Sequence, residues 1–249
     1  MGASATSTLS GVRPLALPSL FCNDRTRRAL MNKGSPAHAL GGNLMPGKTT
    51  QGSAMKEPTE RRRTRLAQVL AHRQPDLSLV LANIHDPHNV SAIYRSCDAF
   101  GVEQVHLYYT DTPFPVLGRK TSASARKWVE TIRHRDREEL FTALRARNMQ
   151  ILATDCSPAA KPLRHWDFTR PTAVIMGNEH SGVAAELATE ADGTLYIPMY
   201  GMIQSFNVSV AAAVILAEAA RQREAAGFYD SPRYSPADLQ QRLDVWLQK

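Results

Sequence analysis

A chain of 249 residues, 43% of them apolar, can bury one large core or two small ones and reads as globular. Its net charge of +7 speaks of partners more than of fold, with polyanions such as nucleic acid first. Three widely spaced cysteines (Cys22, Cys97, Cys156) suggest neither a disulfide framework nor a zinc site, and point to a reducing compartment.

Residues 1–55 are dominated by Ser, Gly, Pro, Thr and Ala, with Asp24 the only acidic residue before Glu57, a composition that predicts disorder. Their acid-poor, Arg-bearing character resembles an organellar targeting segment, and the alternative is that translation starts at Met55. From Thr59 the pattern predicts a short helix with Leu66, Val69 and Leu70 on one side and Arg61, Arg62, Arg63 and Arg65 on the others. The aliphatic run Leu77 to Asn83 predicts a strand, and Asp86-Pro87 a turn. A helix is expected from Asn89, with Val90, Ile93, Tyr94, Cys97 and Phe100 inward, Gly101 closing it, and Arg95 paired with Asp98 at i+3 on the outer face.

A strand over 104–109 follows, then a cationic and mobile loop, since no acidic residue lies between Asp111 and Glu130 while Arg119, Lys120, Arg126 and Lys127 do. Asp136 with Glu139 forms a capping-box pattern opening a helix through Leu140, Leu144 and Met149. The strand 151–154, a polar linker, the strand 171–176, a glycine-bounded turn 177–182, a helix 183–191 and a strand 194–197 come next. After Pro198 and Gly201 a helix begins near Val208 that is apolar on every side and therefore belongs inside the protein. Its apolar length is about half to two-thirds of what crosses a bilayer, so it is a core helix and not a span. Ser235-Pro236 starts a last helix with Leu239, Leu243, Trp246 and Leu247 on one stripe. Alternating strands and helices predict an α/β fold with a mostly parallel sheet covered on both faces.

Ligands of such sheets bind beyond the carboxyl ends of the strands, here in the loops after 83, 154, 176 and 197. No G-x-G-x-x-G follows the first strand and no G-x-x-x-x-G-K-S/T occurs, which disfavours the usual dinucleotide and nucleoside-triphosphate folds. His85 and His88 lack the Cys or carboxylate companions of a metal site, so no metal is expected. Gln204, Ser205 and Asn207 stand where the first N–H groups of a helix have no partners, fit for capping or for a ligand.

Three segments carry a resemblance: NIHDPHNVSAIYRSCDAFG from Asn83 to Gly101, MGNEHSGV from Met176 to Val183, and IPMYGMIQSFNVS from Ile197 to Ser209. In this order they resemble the motifs of the TrmH branch of the SPOUT methyltransferases, over about residues 56–249. Within that branch the basic helix before the first strand and the Arg-Gln-Arg ending at Arg223 are most similar to the subgroup acting on the D-loop guanosine at position 18 of tRNA.

The resemblance implies a SPOUT (alpha/beta knot) fold with a deep trefoil knot near the C-terminus, a homodimer, and S-adenosylmethionine held around Thr154, Gly177, Glu179, Ile197, Met199, Ser205 and Phe206. It implies catalytic roles for Arg95, Asn89, Glu179, Ser205 and Asn207. RNA contacts are expected from His88, Lys127, Arg221 and Arg223 by likeness, and from Arg65 and Arg126 on charge. Residues 56–229 would be the methyltransferase domain and 230–249 a helical extension. The expected substrate is tRNA, the expected location cytoplasmic with organellar targeting left open, and no membrane partner is expected. Methylation of another tRNA or ribosomal RNA site, or RNA binding without catalysis, are the alternatives. Because guanidinium offers only donors and holds its proton tightly, Arg95 is expected to neutralise the adjacent phosphate and the developing oxyanion and not to act as base.

Overall fold

The computed structural model describes residues 58–116 and 125–249. The expected disordered extension 1–55 lies outside the described residues, as does the centre of the cationic loop, 117–124. No helix among the described residues is long and apolar enough to cross a membrane.

Among the described residues seven strands form one sheet: β1 (Gln74–Ala82), β2 (Val102–Tyr108), β3 (Glu130–His134), β4 (Gln150–Thr154), β5 (Lys161–Pro162), β6 (Thr172–Met176) and β7 (Gly193–Tyr196). Their order is β3-β2-β1-β6-β4-β7-β5 and every pairing is parallel. The helices are α1 (Glu60–Ala71), α2 (Pro87–Ala99), α3 (Arg137–Arg145), α4 (Ala185–Glu190), α5 (Val208–Ala225) and α6 (Pro236–Leu247).

Alternation along β1 sorts its side chains onto two cores. Leu77, Leu79 and Leu81 pack with Val90, Ile93 and Tyr94 of α2 and with Ala212, Ile215, Leu216 and Ala219 of α5. Val80 and Ala82 face the other way, onto Leu140, Phe141 and Leu144 of α3 and Leu187 of α4. Both sheet faces are therefore covered, which is why the central strands read as unbroken apolar runs. The stripe of α6 packs on α1, where Leu243 and Trp246 meet Leu66 and Leu70. Trp246 also lies 4.9 Å from Trp128, and Lys249 Nζ donates to the Lys127 carbonyl at 2.7 Å.

Several expectations are corrected. Helix α2 starts two residues before Asn89, because Asp86 is its cap, accepting from the His88 N–H at 2.8 Å, and Pro87 occupies the first turn, where its missing donor costs nothing. Arg95 does not pair with Asp98: the buried Arg73 takes that carboxylate and also donates to the Val102 carbonyl at 2.8 Å. Only half of the capping box forms at α3. Asp136 accepts from the Glu139 N–H at 2.9 Å, while the Glu139 carboxylate lies 3.5 Å from His134. Helix α3 ends at Arg145, short of Met149, which is buried in the turn into β4. Two edge strands were not expected, β3 just past the cationic loop and β5 within the polar linker, and α4 starts only at Ala185.

Helix α5 is not buried all round. Val208, Ala212, Ile215, Leu216 and Ala219 face the core, but Val210 keeps 45% of its surface exposed. Gly101 is required where it stands: its φ is +75°, and a Cβ there would meet the His72 carbonyl oxygen at 2.7 Å.

Candidate active site

Because all strands are parallel, the loops after β1, β4, β6 and β7 emerge on one edge of the sheet. Between those after β4, β6 and β7 lies a cleft of about 610 Å³, bounded on its far side by the start of α5. Met176, Leu195, Ile197, Met199, Phe206 and Ala211 give it an apolar wall. Thr154, Gly177, Glu179, Gln204, Ser205 and Asn207 supply its polar margin. All seven residues expected around the methyl donor line this one cleft.

The loop after β6 is shaped by its glycines. Asn178 and Gly182 exchange backbone hydrogen bonds of 3.1 and 3.2 Å, folding the loop back on itself. A Cβ on Gly177 would lie 2.0 Å from the Gly182 carbonyl carbon and 2.2 Å from the Val183 nitrogen, so no other residue leaves this loop closed. Thr154 spends its hydroxyl on the sheet, donating to the Ile175 carbonyl at 3.1 Å, and faces the cleft with what remains.

A relay of side chains ties the mouth of the cleft to α2. Asn207 caps α5, accepting from the Ser209 N–H at 2.9 Å, and its amide donates to Asn89 Oδ1 at 3.1 Å. The Asn89 amide donates in turn to Glu179 Oε1 at 2.8 Å, and Glu179 Oε2 accepts from the His85 N–H at 3.3 Å. Burial alone would raise the Glu179 pKa. The Asn89 amide and the backbone N–H groups of Glu179, His85 and Asp86 outweigh it and hold the group below the usual range, so it is an anion that positions its neighbours and not a proton donor. Asn83, at a φ of +49°, clasps the neighbouring strand exit by accepting from the Thr110 N–H at 3.0 Å.

Arg95 lies exposed on α2, with no hydrogen bond or ion pair among the described residues. Arg65, His88, Arg126 and Lys127 are likewise exposed. Arg221 is exposed too, but its guanidinium forks onto Glu218 at 2.9 and 2.7 Å.

Arg223 overturns its expectation as an RNA contact. It is 0% exposed, and all its donors are taken. It reaches the carbonyls of Phe168 (2.8 Å), Asp76 (3.2 Å) and Arg170 (3.2 Å), Gln74 Oε1 (3.0 Å) and Asp76 Oδ1 (2.5 Å). It is a bolt between α5 and the start of β1.

The sequence reading missed His180, which lines the cleft and whose ring centroid lies 5.9 Å from that of His85. The signal was in the chain, since each histidine stands a few residues past an apolar run. Only the pairing of β1 with β6 brings the two exits together.

The cleft fits S-adenosylmethionine by its chemistry. Its volume lies in the range of small-molecule sites, its apolar wall suits an adenine ring, and the irregular backbone of 197–206 leaves hydrogen-bonding groups near the open end of α5.

Comparison with known proteins agrees. Residues 76–217 match the SpoU rRNA Methylase family. The tRNA (guanosine(18)-2'-O)-methyltransferase of Thermus thermophilus is 48% identical over 195 residues, covering 78% of this chain and 100% of that protein. The crystal structure of the A. aeolicus TrmH/SpoU tRNA modifying enzyme superposes with a TM-score of 0.72 at 39% identity, over 76% of this chain and 96% of that one. The AdoMet-bound rRNA methyltransferase from Sinorhizobium meliloti does so with a TM-score of 0.54 at 28% identity, over 62% and 59% of the two chains. With its parallel sheet, its glycine-closed loop and its relay at the cleft mouth, the chain belongs to the SpoU methylase family.

Proposed function

We propose that this chain transfers a methyl group from S-adenosylmethionine to the ribose 2'-OH of the guanosine at position 18 in the tRNA D-loop. The observation that carries the reading is the Asn207–Asn89–Glu179 relay, which fastens the rim of the donor cleft to the helix bearing Arg95. Family membership brings the trefoil knot at the carboxyl end, in which the strand exits around 176–182 and 197–207 form the donor cleft.

The methyl donor supplies an activated sulfonium, so the protein has to supply position and a competent ribose oxygen. Thr154, Gly177, Ile197, Met199, Ser205 and Phe206 hold the donor, mainly through backbone and apolar contact. Glu179, Asn89 and Asn207 fix the spacing between that cleft and α2. Arg95, with no donor engaged among the described residues, meets the phosphate beside the target ribose and the charge growing on its oxygen. Arg65, His88, Arg126 and Lys127 extend the cationic surface, and Arg221 joins it when its fork leaves Glu218. Residues 56–229 form the methyltransferase domain and 230–249 a helical extension; the reaction takes no metal, and a cytoplasmic location accords with the tRNA substrate.

The enzyme acts as a homodimer. Tyr200 and Met202 are 98% and 99% exposed, and with Ile203, Phe206 and Val210 they mark an apolar surface around the cleft mouth and the outer side of α5. Such a surface marks a protein contact.

The test is methyl incorporation from labelled S-adenosylmethionine into an unmodified tRNA transcript and into one carrying 2'-deoxyguanosine at position 18. Incorporation into the first alone is expected. Equal incorporation into both would move the target to another nucleotide, and none into either would favour RNA binding without catalysis.

A further inference from the structure

We propose that His180 accepts the proton of the ribose 2'-OH, with the imidazole of His85 beside it; the inference rests on the methyl-transfer reading above. The reaction releases a proton that Arg95 is ill suited to take, because guanidinium has no acceptor and stays charged. Among the described residues, the titratable side chains lining the cleft are Asp155, Cys156, Glu179, His180 and Tyr196. Asp155 is held below the usual range by the Ser157 hydroxyl, against a smaller opposing effect of burial, and by the N–H groups of Cys156 and Ser157. Glu179 is held low as well, with both oxygens engaged. Carboxylates so stabilised are weak bases. Ordinary thiols and phenols are protonated at neutral pH and must lose a proton before taking one. Imidazole is the side chain whose neutral form both exists and accepts there.

Geometry places it on the cleft, beside His85. Strands β1 and β6 are neighbours, with Leu81 opposite Met176, so the exits carrying His85 and His180 lie side by side. Asn178 Oδ1 accepts from the N–H groups of His180 at 2.9 Å and Ser181 at 2.7 Å, fixing the turn that presents residue 180. Both imidazoles are exposed, tilted by 42°, and neither ring makes a hydrogen bond among the described residues. Glu179, adjacent to His180 in the chain, joins them to the relay: it accepts the His85 N–H and the amide of Asn89, on the helix that carries Arg95. In the step, the ribose oxygen gives its proton to the neutral imidazole of His180 as its electron pair forms the bond to the methyl carbon. The pair of the broken C–S bond stays on sulfur, and the exposed imidazolium releases the proton to water.

The experiment compares wild type with His180→Gln on the guanosine-18 transcript from pH 5.5 to 9, and in parallel maps diethyl pyrocarbonate modification of histidines by mass spectrometry with and without tRNA. The variant is expected to lose about 100-fold in kcat with little change in the KM for tRNA. Its rate should keep rising with pH where that of wild type levels off. His180→Ala should be partly rescued by added imidazole, which a structural loss would not allow, and tRNA should shield His180 from modification. A kcat of His180→Gln within threefold of wild type, or modification of His180 indifferent to tRNA, overturns the proposal alone. Failure of wild type to methylate the transcript overturns the methyl-transfer reading, and the proposal with it.

Discussion

Arg95 and Arg223 carry the same charge on the same side chain, and the motifs made both functional. The structure separates them by what their donors do. Arg95 stands in water with none of its donors engaged among the described residues, available to a phosphate. Arg223 is wholly buried, with three carbonyls, a side-chain amide oxygen and a carboxylate around it. A buried guanidinium is tolerable only when each donor is met, and a guanidinium so met has nothing left for RNA. Residue type alone therefore does not assign an arginine to catalysis, to substrate or to the frame.

The largest effect should come from Arg95. Replacing it by Ala is expected to lower kcat about 1000-fold, and by Lys about 100-fold, with the melting temperature unchanged, because the loss is of charge and fork geometry in the transition state. A Lys variant near wild-type activity would remove the argument for the fork. Arg223→Met should behave in the opposite way. It leaves the Asp76 carboxylate and several buried carbonyls short of donors, a loss of about 3–5 kcal/mol of stability that lowers the melting temperature by about 10 °C. Turnover and tRNA affinity of the folded fraction at 25 °C should stay within twofold. If Arg223→Met lost tRNA affinity at unchanged melting temperature, the bolt would have to be given back its role at the RNA.

The comparison sharpens at a buried pair with fewer partners. His106 of β2 and His134 of β3 are almost without exposure, with His106 Nδ1 2.9 Å from His134 Nε2. Among the described residues, the Nε2 of His106 and the Nδ1 of His134 have no hydrogen-bond partner, although the Glu139 carboxylate is 3.5 Å from the latter. Burial first, then His134 and Arg147, push the His106 pKa down to about 3, and burial lowers that of His134 against the pull of Glu139. A cation that cannot be paired is kept neutral instead. Both folded-state values lie below the unfolded value, so the unfolded chain binds more protons as pH falls below about 6.5. Stability present at neutral pH is thus lost towards pH 3, by at most about 1.4 kcal/mol per pH unit for each histidine. Thermal unfolding between pH 7 and 4 should show the slope, and His106→Gln should flatten it. An unchanged slope would mean that other groups set the acid limit.

What could be read in the sequence follows the same division between local and distant causes. The runs at 77–83 and 171–176 announced themselves because both faces of those strands are covered. Strand β3 did not, since Glu130 and Arg133 are exposed and it pairs on one side only, and the two residues of β5 carry no period at all. Helix α5 misled because apolar composition does not fix burial: Val210 keeps 45% of its surface exposed while Ala212 and Leu216 are in the core. The catalytic roles of Asn89, Glu179 and Asn207 came by likeness. Their connection spans separations of 90 and 118 residues, which no local spacing encodes. His180 escaped for the same reason, because strand order and not sequence order makes it a neighbour of His85.

The smallest effect is expected at Arg221, which stands between the two extremes. Its fork holds Glu218, whose pKa is drawn down to about 2 by that hydrogen bond first, and yet the arginine is exposed. To meet a phosphate it must leave a carboxylate that is only 10% exposed and would keep just the Gln222 amide, at 2.9 Å, so little of its charge is free for RNA. Arg221→Ala should therefore weaken tRNA binding only about threefold and lower the salt slope by about one phosphate contact. Glu218→Gln is the sharper probe. If Arg221 serves RNA, loosening the fork raises tRNA affinity about twofold and steepens the salt dependence. If the pair only staples the last turns of α5, the substitution leaves the binding isotherm where it was, and Arg221 joins Arg223 in the frame.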